Sequence, residues 1–142
     1  ERCCYCNMSS ELLTIPYHIE HFIPVNAFKE KKDSLLTEYD NLMWACPKCN
    51  LSKGNKYKGD FQNSSKIENE LFYNPVEVDY NDIFFRNEIG GIESRDQKGQ
   101  EMIKLLKLLE AAAGKVALEC VKKSKIFRAV YNGKQFEEIE YN

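Results

Sequence analysis

The sequence predicts an α+β fold, in which a small cysteine-containing core is followed by a mainly helical extension. Three observations lead to this prediction: two cysteine pairs with the same spacing, two short apolar segments between those pairs, and a leucine-rich helical pattern in the second half of the chain. We expect the core to span residues 1–60, and the extension to span residues 61–142 and to pack on the core or on a partner.

The composition is that of a soluble globular protein. Of the 142 residues, 43% are hydrophobic and 30% are charged. No apolar run approaches the roughly 18 residues needed to cross a membrane, so we expect a cytoplasmic protein without a membrane partner. The chain begins at Glu1 rather than at methionine, so the question of whether a leader segment has been removed stays open. The net charge of -2 argues against a polycation built for nonspecific nucleic-acid binding.

The six cysteines include two C-x2-C pairs, Cys3 with Cys6 and Cys46 with Cys49. Two turns of this kind, each aiming two thiolates at one point, are typical of a four-thiolate zinc site. The alternatives are two disulfides or four unrelated thiols. Cys3 is preferred over Cys4 as a ligand because Cys4 and Cys6 leave too short a turn, and Cys120 is left over.

The elements of the core follow from local patterns. We expect residues 1–16 to form a zinc turn and a loop, because Pro16 ends regular structure. Residues 18–24 alternate loosely and are bounded by prolines, which is typical of a short strand. The segment from Asn26 to Leu36 is charged and predicts a loop or a short helix.

Two further elements complete the core. The apolar segment "NLMWA", residues 41–45, predicts a second, buried strand. Residues 50–57 predict a short helix that opens just after the second cysteine pair, with Gly54 weakening its end. The stretch from Cys46 to Gly59 carries four lysines and no acid, which is either a basic patch for a phosphate backbone or a solvated loop.

The extension begins with a segment rich in asparagine, aspartate and aromatic residues. Phe84, Phe85 and Ile89 predict a strand, and two glycines turn the chain into a second strand at Ile92. Residues 97–123 carry apolar residues at helical spacing, with a break or kink at Gly114. A second helix is expected over residues 115–129 and a turn at residues 131–133, and the leucine stripe is expected to be core or partner surface.

The chain has two histidines, His18 and His21, and both lie beside Glu20. Taken one at a time, these residues have ordinary explanations. Glu20 alone is a solvated strand carboxylate, Asn50 alone is a helix cap past a zinc turn, and the lysines alone are an exposed helix face. Their joint spacing is more specific.

The segments "IEHFIP", "NLMWACPKCN" and "LSKG" together resemble the HNH endonuclease family, also called the ββα-metal nucleases, over about residues 3–57. The resemblance implies a ββα-metal core that hydrolyses phosphodiester bonds with a bound cation. By position, it implies that His21 is the general base and that Asn41 holds the loop bearing His21. Glu20, where the family more often has aspartate, and Asn50 would be the ligands of the cation.

The resemblance also implies cofactors and contacts. Oxygen ligands suit Mg²⁺ or Mn²⁺ at the catalytic site, whereas the four thiolates suit structural zinc. Lys53 is expected near the scissile phosphate, within a set of nucleic-acid-binding lysines: Lys48, Lys53, Lys56 and Lys58. His18 is either a contact to the metal site or a surface histidine, and both readings stay open.

The function predicted from these residues is a metal-dependent endonuclease that hydrolyses DNA. The alternatives are a zinc-stapled nucleic-acid-binding module that is catalytically silent, an RNA-directed HNH nuclease, and a protein-interaction domain that uses the leucine-rich helices. A weaker resemblance to small HNH proteins of bacterial anti-phage systems rests on the core motifs, the "FYNP" segment and the helical tail. It implies a role as a defence effector beside an ATPase or another regulatory partner.

Overall fold

The computed structural model describes residues 2–13, 16–87 and 91–108 of the chain. They form an α+β fold, which confirms the predicted class, and none of the helices in this part of the chain has the length and apolar character to cross a membrane. The elements are α1 (Ser10–Leu13), β1 (His18–His21), α2 (Val25–Phe28), 3-10 helices at Asp33–Leu36 and Tyr39–Asn41, β2 (Leu42–Ala45), α3 (Pro47–Lys53), α4 (Tyr80–Ile83), β3 (Phe84–Arg86), β4 (Ile92–Ser94) and α5 (Gln97–Leu105). Helix α1 lies where the sequence predicts only a loop.

Strands β1 and β2 form an antiparallel hairpin, as the two apolar segments predict. His18 pairs with Ala45 at one end of the ladder, and His21 pairs with Leu42 at the other. Successive side chains of a strand point to opposite faces. Glu20 is accordingly buried, whereas Ile19 beside it is 64% exposed. The two faces of β1 therefore meet different surroundings.

Asn41 organises the long connection between the two strands. Its side chain is fully buried; Oδ1 accepts a hydrogen bond from the Ile23 amide (2.7 Å), and Nδ2 donates to the Leu35 carbonyl (3.0 Å). Because the backbone of Ile23 is bound here, β1 ends at His21 and is shorter than the strand predicted over residues 18–24. Asn41 thus ties the segment that follows His21 to the start of β2.

Helix α3 begins earlier than the sequence predicts. It starts at Pro47, where the ring presets the helical φ, and the Cys46 sulfur caps it by accepting a hydrogen bond from the Cys49 amide. It ends at Lys53, and Gly54 follows with a φ of 49°, a conformation that glycine adopts without strain. The prediction of residues 50–57 was wrong at both ends, because the cysteine turn is itself the first turn of the helix.

The described part of the extension packs against the core. The predicted β3–β4 hairpin is present, and the Arg86 guanidinium donates to the Cys6 carbonyl (2.6 Å). The rings of Tyr5 and Phe72 lie 6.5 Å apart. Buried residues of both regions form one cluster, which includes Phe22, Met43, Cys46, Cys49, Phe72, Ile92, Met102, Ile103 and Leu106.

Helix α5 begins as predicted at Gln97, where the Asp96 side chain accepts a hydrogen bond from the Gly99 amide (2.6 Å). It ends at Leu105, so a continuous helix over residues 97–123 was a wrong prediction. Lys107 adopts a positive φ of 53°, which breaks the helix while Leu106 stays buried. The predicted helix at 115–129, the turn at 131–133 and Cys120 lie outside the described residues.

Candidate functional site

Four cysteines from two distant turns meet at one point. The Sγ atoms of Cys3, Cys6, Cys46 and Cys49 all lie within 4.8 Å of one another, and all four residues are buried. Tetrahedral zinc with zinc–sulfur distances of about 2.3 Å separates its sulfur ligands by about 3.8 Å. The Sγ atoms of Cys6 and Cys46 are 3.8 Å apart. All four thiols are free of disulfide bonds, so the disulfide alternative was wrong and the cluster fits zinc.

The choice of Cys3 over Cys4 agrees with the positions of the sulfur atoms, because Cys3 is one of the four clustered cysteines. The pKa values do not decide between them. Burial raises the pKa of the Cys4 thiol, but hydrogen bonds with neighbouring thiols, Cys3 first, also raise the pKa of Cys6 and Cys49, which belong to the cluster. Cys4 lies outside the four-cysteine cluster.

Helix α3 faces one side of β1. Asn50 and Lys53 are three residues apart, so they share one face of the helix, and His18 and Glu20 share one face of the strand. Asn50 Nδ2 lies 3.0 Å from His18 Nδ1. Lys53 Nζ lies 2.9 Å from Glu20 Oε2. Helix α3 thus contacts β1 through two neighbouring side-chain pairs.

The Glu20 carboxylate is buried and bound on both oxygens. Lys53 donates to Oε2 and the Tyr5 hydroxyl donates to Oε1. Burial, and then the charge of Glu20, raises the pKa of Tyr5 well above its usual value, so this hydroxyl keeps its proton and donates. Lys53 also donates to the His21 carbonyl (2.8 Å), which ties α3 directly to the backbone of β1.

His21 lies on the opposite face of β1. Its Nε2 is 3.0 Å from the Leu36 carbonyl oxygen, and its ring centroid is 6.0 Å from that of Phe28. A carbonyl has no proton to give, so Nε2 donates this bond. Asn41 binds the Leu35 carbonyl, one residue before the carbonyl that holds His21. The buried amide therefore supports the imidazole indirectly.

The HNH endonuclease family model matches residues 3–56. Residues 3–56 are an HNH domain. No curated protein and no solved structure matches the chain. The HNH domain contains both cysteine pairs, the hairpin and α3, so the family match and the zinc-compatible cluster describe the same unit.

The structure revises the expected set of nucleic-acid-binding lysines. Lys48, Lys56 and Lys58 are exposed, as a phosphate-binding surface requires, although Lys58 is paired with Glu70 at 2.8 Å. Lys53 is fully buried. Its placement near a scissile phosphate was a wrong expectation, because an ammonium inside the protein and paired with Glu20 is not presented to a phosphate.

The HNH domain brings together some predicted site residues and separates others. Asn50 meets His18 rather than Glu20, and His21 points away from both towards Leu36. The sequence analysis missed the contact of Tyr5 with Glu20. The sequence indicates this contact only by a tyrosine between Cys3 and Cys6, and a tyrosine there is most simply explained as part of the core around the zinc.

The zinc site leads to a prediction about cysteine variants. The purified chain should contain about one zinc ion per chain, bound by four thiolates. Cys3→Ser and Cys49→Ser should lose the zinc, and with it the folded structure, because the metal joins turns that have little core of their own. Metal analysis and circular dichroism measure both effects. Cys4→Ser is the matched control and should keep the zinc; loss of zinc in Cys4→Ser with retention in Cys3→Ser would contradict the assignment.

The buried ion pair leads to a second prediction. Lys53→Met removes the charge at similar volume and should lower the free energy of unfolding by about 3–5 kcal/mol, because Glu20 stays buried without its cation. Adding Glu20→Gln should restore part of the loss. Urea denaturation at saturating zinc measures these changes. Lys58→Met, which removes the exposed pair with Glu70, is the control and should change little; equal effects of the two lysine variants would refute the prediction.

Proposed function

We propose that the protein is a metal-dependent HNH endonuclease that hydrolyses phosphodiester bonds in DNA. The family match over residues 3–56 supports a nuclease of the HNH type. The observation that carries the proposal is the placement of His21, whose imidazole is held by the Leu36 carbonyl at the end of β1. It lies one residue from Glu20, in the strand that packs against α3.

The hydrogen bond to Leu36 leaves His21 suited to act as a base. With the proton on Nε2, the neutral ring keeps a lone pair on Nδ1. A neutral imidazole accepts a proton at physiological pH. Nδ1 of His21 would take the proton from a water molecule as the water oxygen attacks phosphorus and the bond to the leaving 3′ oxygen breaks.

Glu20 and Asn50 are the proposed ligands of Mg²⁺ or Mn²⁺. Their oxygen atoms are the donors that these ions prefer. Each oxygen of Glu20 already accepts one hydrogen bond, and a carboxylate offers about four acceptor positions, so the residue keeps the capacity to bind an ion. Glu20 and Asn50 would hold a cation that would supply neutralisation of charge on the phosphoryl oxygens and stabilisation of the leaving oxygen.

The exposed lysines supply the attraction to the nucleic-acid backbone. Lys48 lies on α3, and Lys56 and Lys58 follow its end, so the basic segment stays near the proposed site. Contacts of this kind bind phosphates without reading sequence. They fit DNA as the leading substrate, with RNA as the alternative.

One observation favours a second function, a catalytically silent nucleic-acid-binding module. Glu20 is buried and paired with Lys53, so its charge is already compensated within the protein. A domain that had lost its catalytic cation would retain such a pair as structure. This alternative expects nucleic-acid binding without turnover and without any dependence on His21.

A cleavage assay tests the proposal. Wild type with Mg²⁺ or Mn²⁺ should cut plasmid or single-stranded DNA, and His21→Ala should lower the rate by a factor of about 10²–10⁴, the usual contribution of a general base. Asn50→Ala should lower it as well, whereas Asn26→Ala, an exposed change on α2, should not. All variants are compared at equal zinc content.

The outcomes separate the candidate functions. Binding of DNA without cleavage, identical in wild type and His21→Ala, would support the silent module. Cleavage of RNA but not of DNA, with the same dependence on His21, would show that RNA is the substrate and would leave the proposed mechanism unchanged.

We also propose a cytoplasmic defence setting with an ATPase or other regulatory partner, on the sequence resemblance alone. The "FYNP" segment adds little to it, because Phe72 and Asn74 are buried in the protein and have structural roles. The proposal predicts that an ATPase encoded beside this protein raises its cleavage rate. Full activity of the isolated chain, unchanged by that ATPase, would contradict it.

A further inference from the structure

The contact between His18 and Asn50 has the dimensions of a pair of metal ligands. His18 Nδ1 and the Asn50 side-chain amide are separated by 3.0 Å. Magnesium binds its ligands in octahedral geometry at about 2.1 Å, so adjacent ligand atoms lie about 3.0 Å apart. A half-turn of the amide exchanges Nδ2 with Oδ1 and directs the oxygen to this position. The spacing thus suits one cation bound by both side chains.

His18 is also accessible to an ion from solvent. It is exposed, and Asn50 is half-buried beside it, whereas Glu20 on the same face of β1 is only 5% exposed. An ion arriving from solvent meets the imidazole and the amide before it meets the carboxylate. His18 therefore lies at the solvent-exposed end of the β1 face that carries Glu20 and that contacts Asn50 of α3.

We propose that His18 is a third protein ligand of the catalytic cation and binds it through Nδ1. The proposal rests on the proposed function, since it assumes that Asn50 and Glu20 bind that cation. It assigns His18 to the metal site and His21 to proton transfer, on opposite faces of one strand.

An imidazole ligand changes which cation the site prefers. Carboxylate and amide oxygens suit both Mg²⁺ and Mn²⁺, whereas an imidazole nitrogen suits first-row transition ions, which include Mn²⁺ and exclude Mg²⁺. The site should accordingly bind Mn²⁺ more tightly than Mg²⁺. A histidine that only donates or accepts a hydrogen bond at the surface has no such effect on ion preference.

Mn²⁺ binding to the zinc-loaded chain without nucleic acid tests this inference. Electron paramagnetic resonance of free Mn²⁺ gives the affinity independently of catalysis. His18→Ala should weaken Mn²⁺ binding by about tenfold or more, because even the loss of a group that supports a ligand costs about 10–100-fold. His18→Asp should retain a site and shift its preference towards Mg²⁺, as measured by competition. Ile19→Ala, a change on the other face of the same strand, is the control and should leave the affinity unchanged.

The outcomes distinguish this inference from the function on which it rests. If Asn50→Ala weakens Mn²⁺ binding and His18→Ala does not, the role of His18 is refuted and the proposed function stands. If the wild-type chain binds neither Mn²⁺ nor Mg²⁺ beyond its zinc, both are refuted. Weakened binding in His18→Ala, with a preference for Mg²⁺ in His18→Asp, supports the inference.

Discussion

The convergence of four cysteines is the constraint on which the rest of the site depends. It joins the turn at Cys3 and Cys6 to the turn at Cys46 and Cys49, which lie on either side of the hairpin in sequence. The second turn is also the start of α3, because the Cys46 sulfur caps the helix and Pro47 opens it. The cluster therefore determines which residues of α3 face β1. It thereby contributes to the positions of Asn50 and Lys53 against the strand.

The two faces of β1 then carry different groups. The face towards α3 carries a buried, fully bonded carboxylate at Glu20 and the accessible imidazole of His18. His21 projects from the other face and is held by the Leu36 carbonyl, whose segment is fixed by Asn41. Lys53 binds both the Glu20 side chain and the His21 carbonyl, so it ties α3 to a side chain and to the backbone of β1.

Local patterns predicted much of the fold and part of the site. The cysteine spacing within each turn and the apolar alternation of the hairpin depend on short stretches, so they can be predicted from sequence. The buried contacts of Glu20 with Lys53 and Tyr5 cannot be predicted in this way, because Lys53 lies 33 residues and Tyr5 lies 15 residues from Glu20 in the sequence. The basic segment predicts that Lys53 is exposed. Only the packing of α3 against β1 shows that its side chain is buried. The end of α5 was not predicted, because the leucine pattern continues past Leu105. The helix ends there, and Lys107 adopts a positive φ.

X-ray absorption at the zinc edge tests the central claim most directly, because it reports the atoms bound to zinc in the intact protein. Four sulfur ligands at about 2.3 Å are the predicted result. They would establish that the four cysteines alone bind the zinc and that neither histidine is one of its ligands. A nitrogen or oxygen ligand in the first coordination sphere would contradict the account, because a group other than a cysteine thiolate would then hold the structural metal.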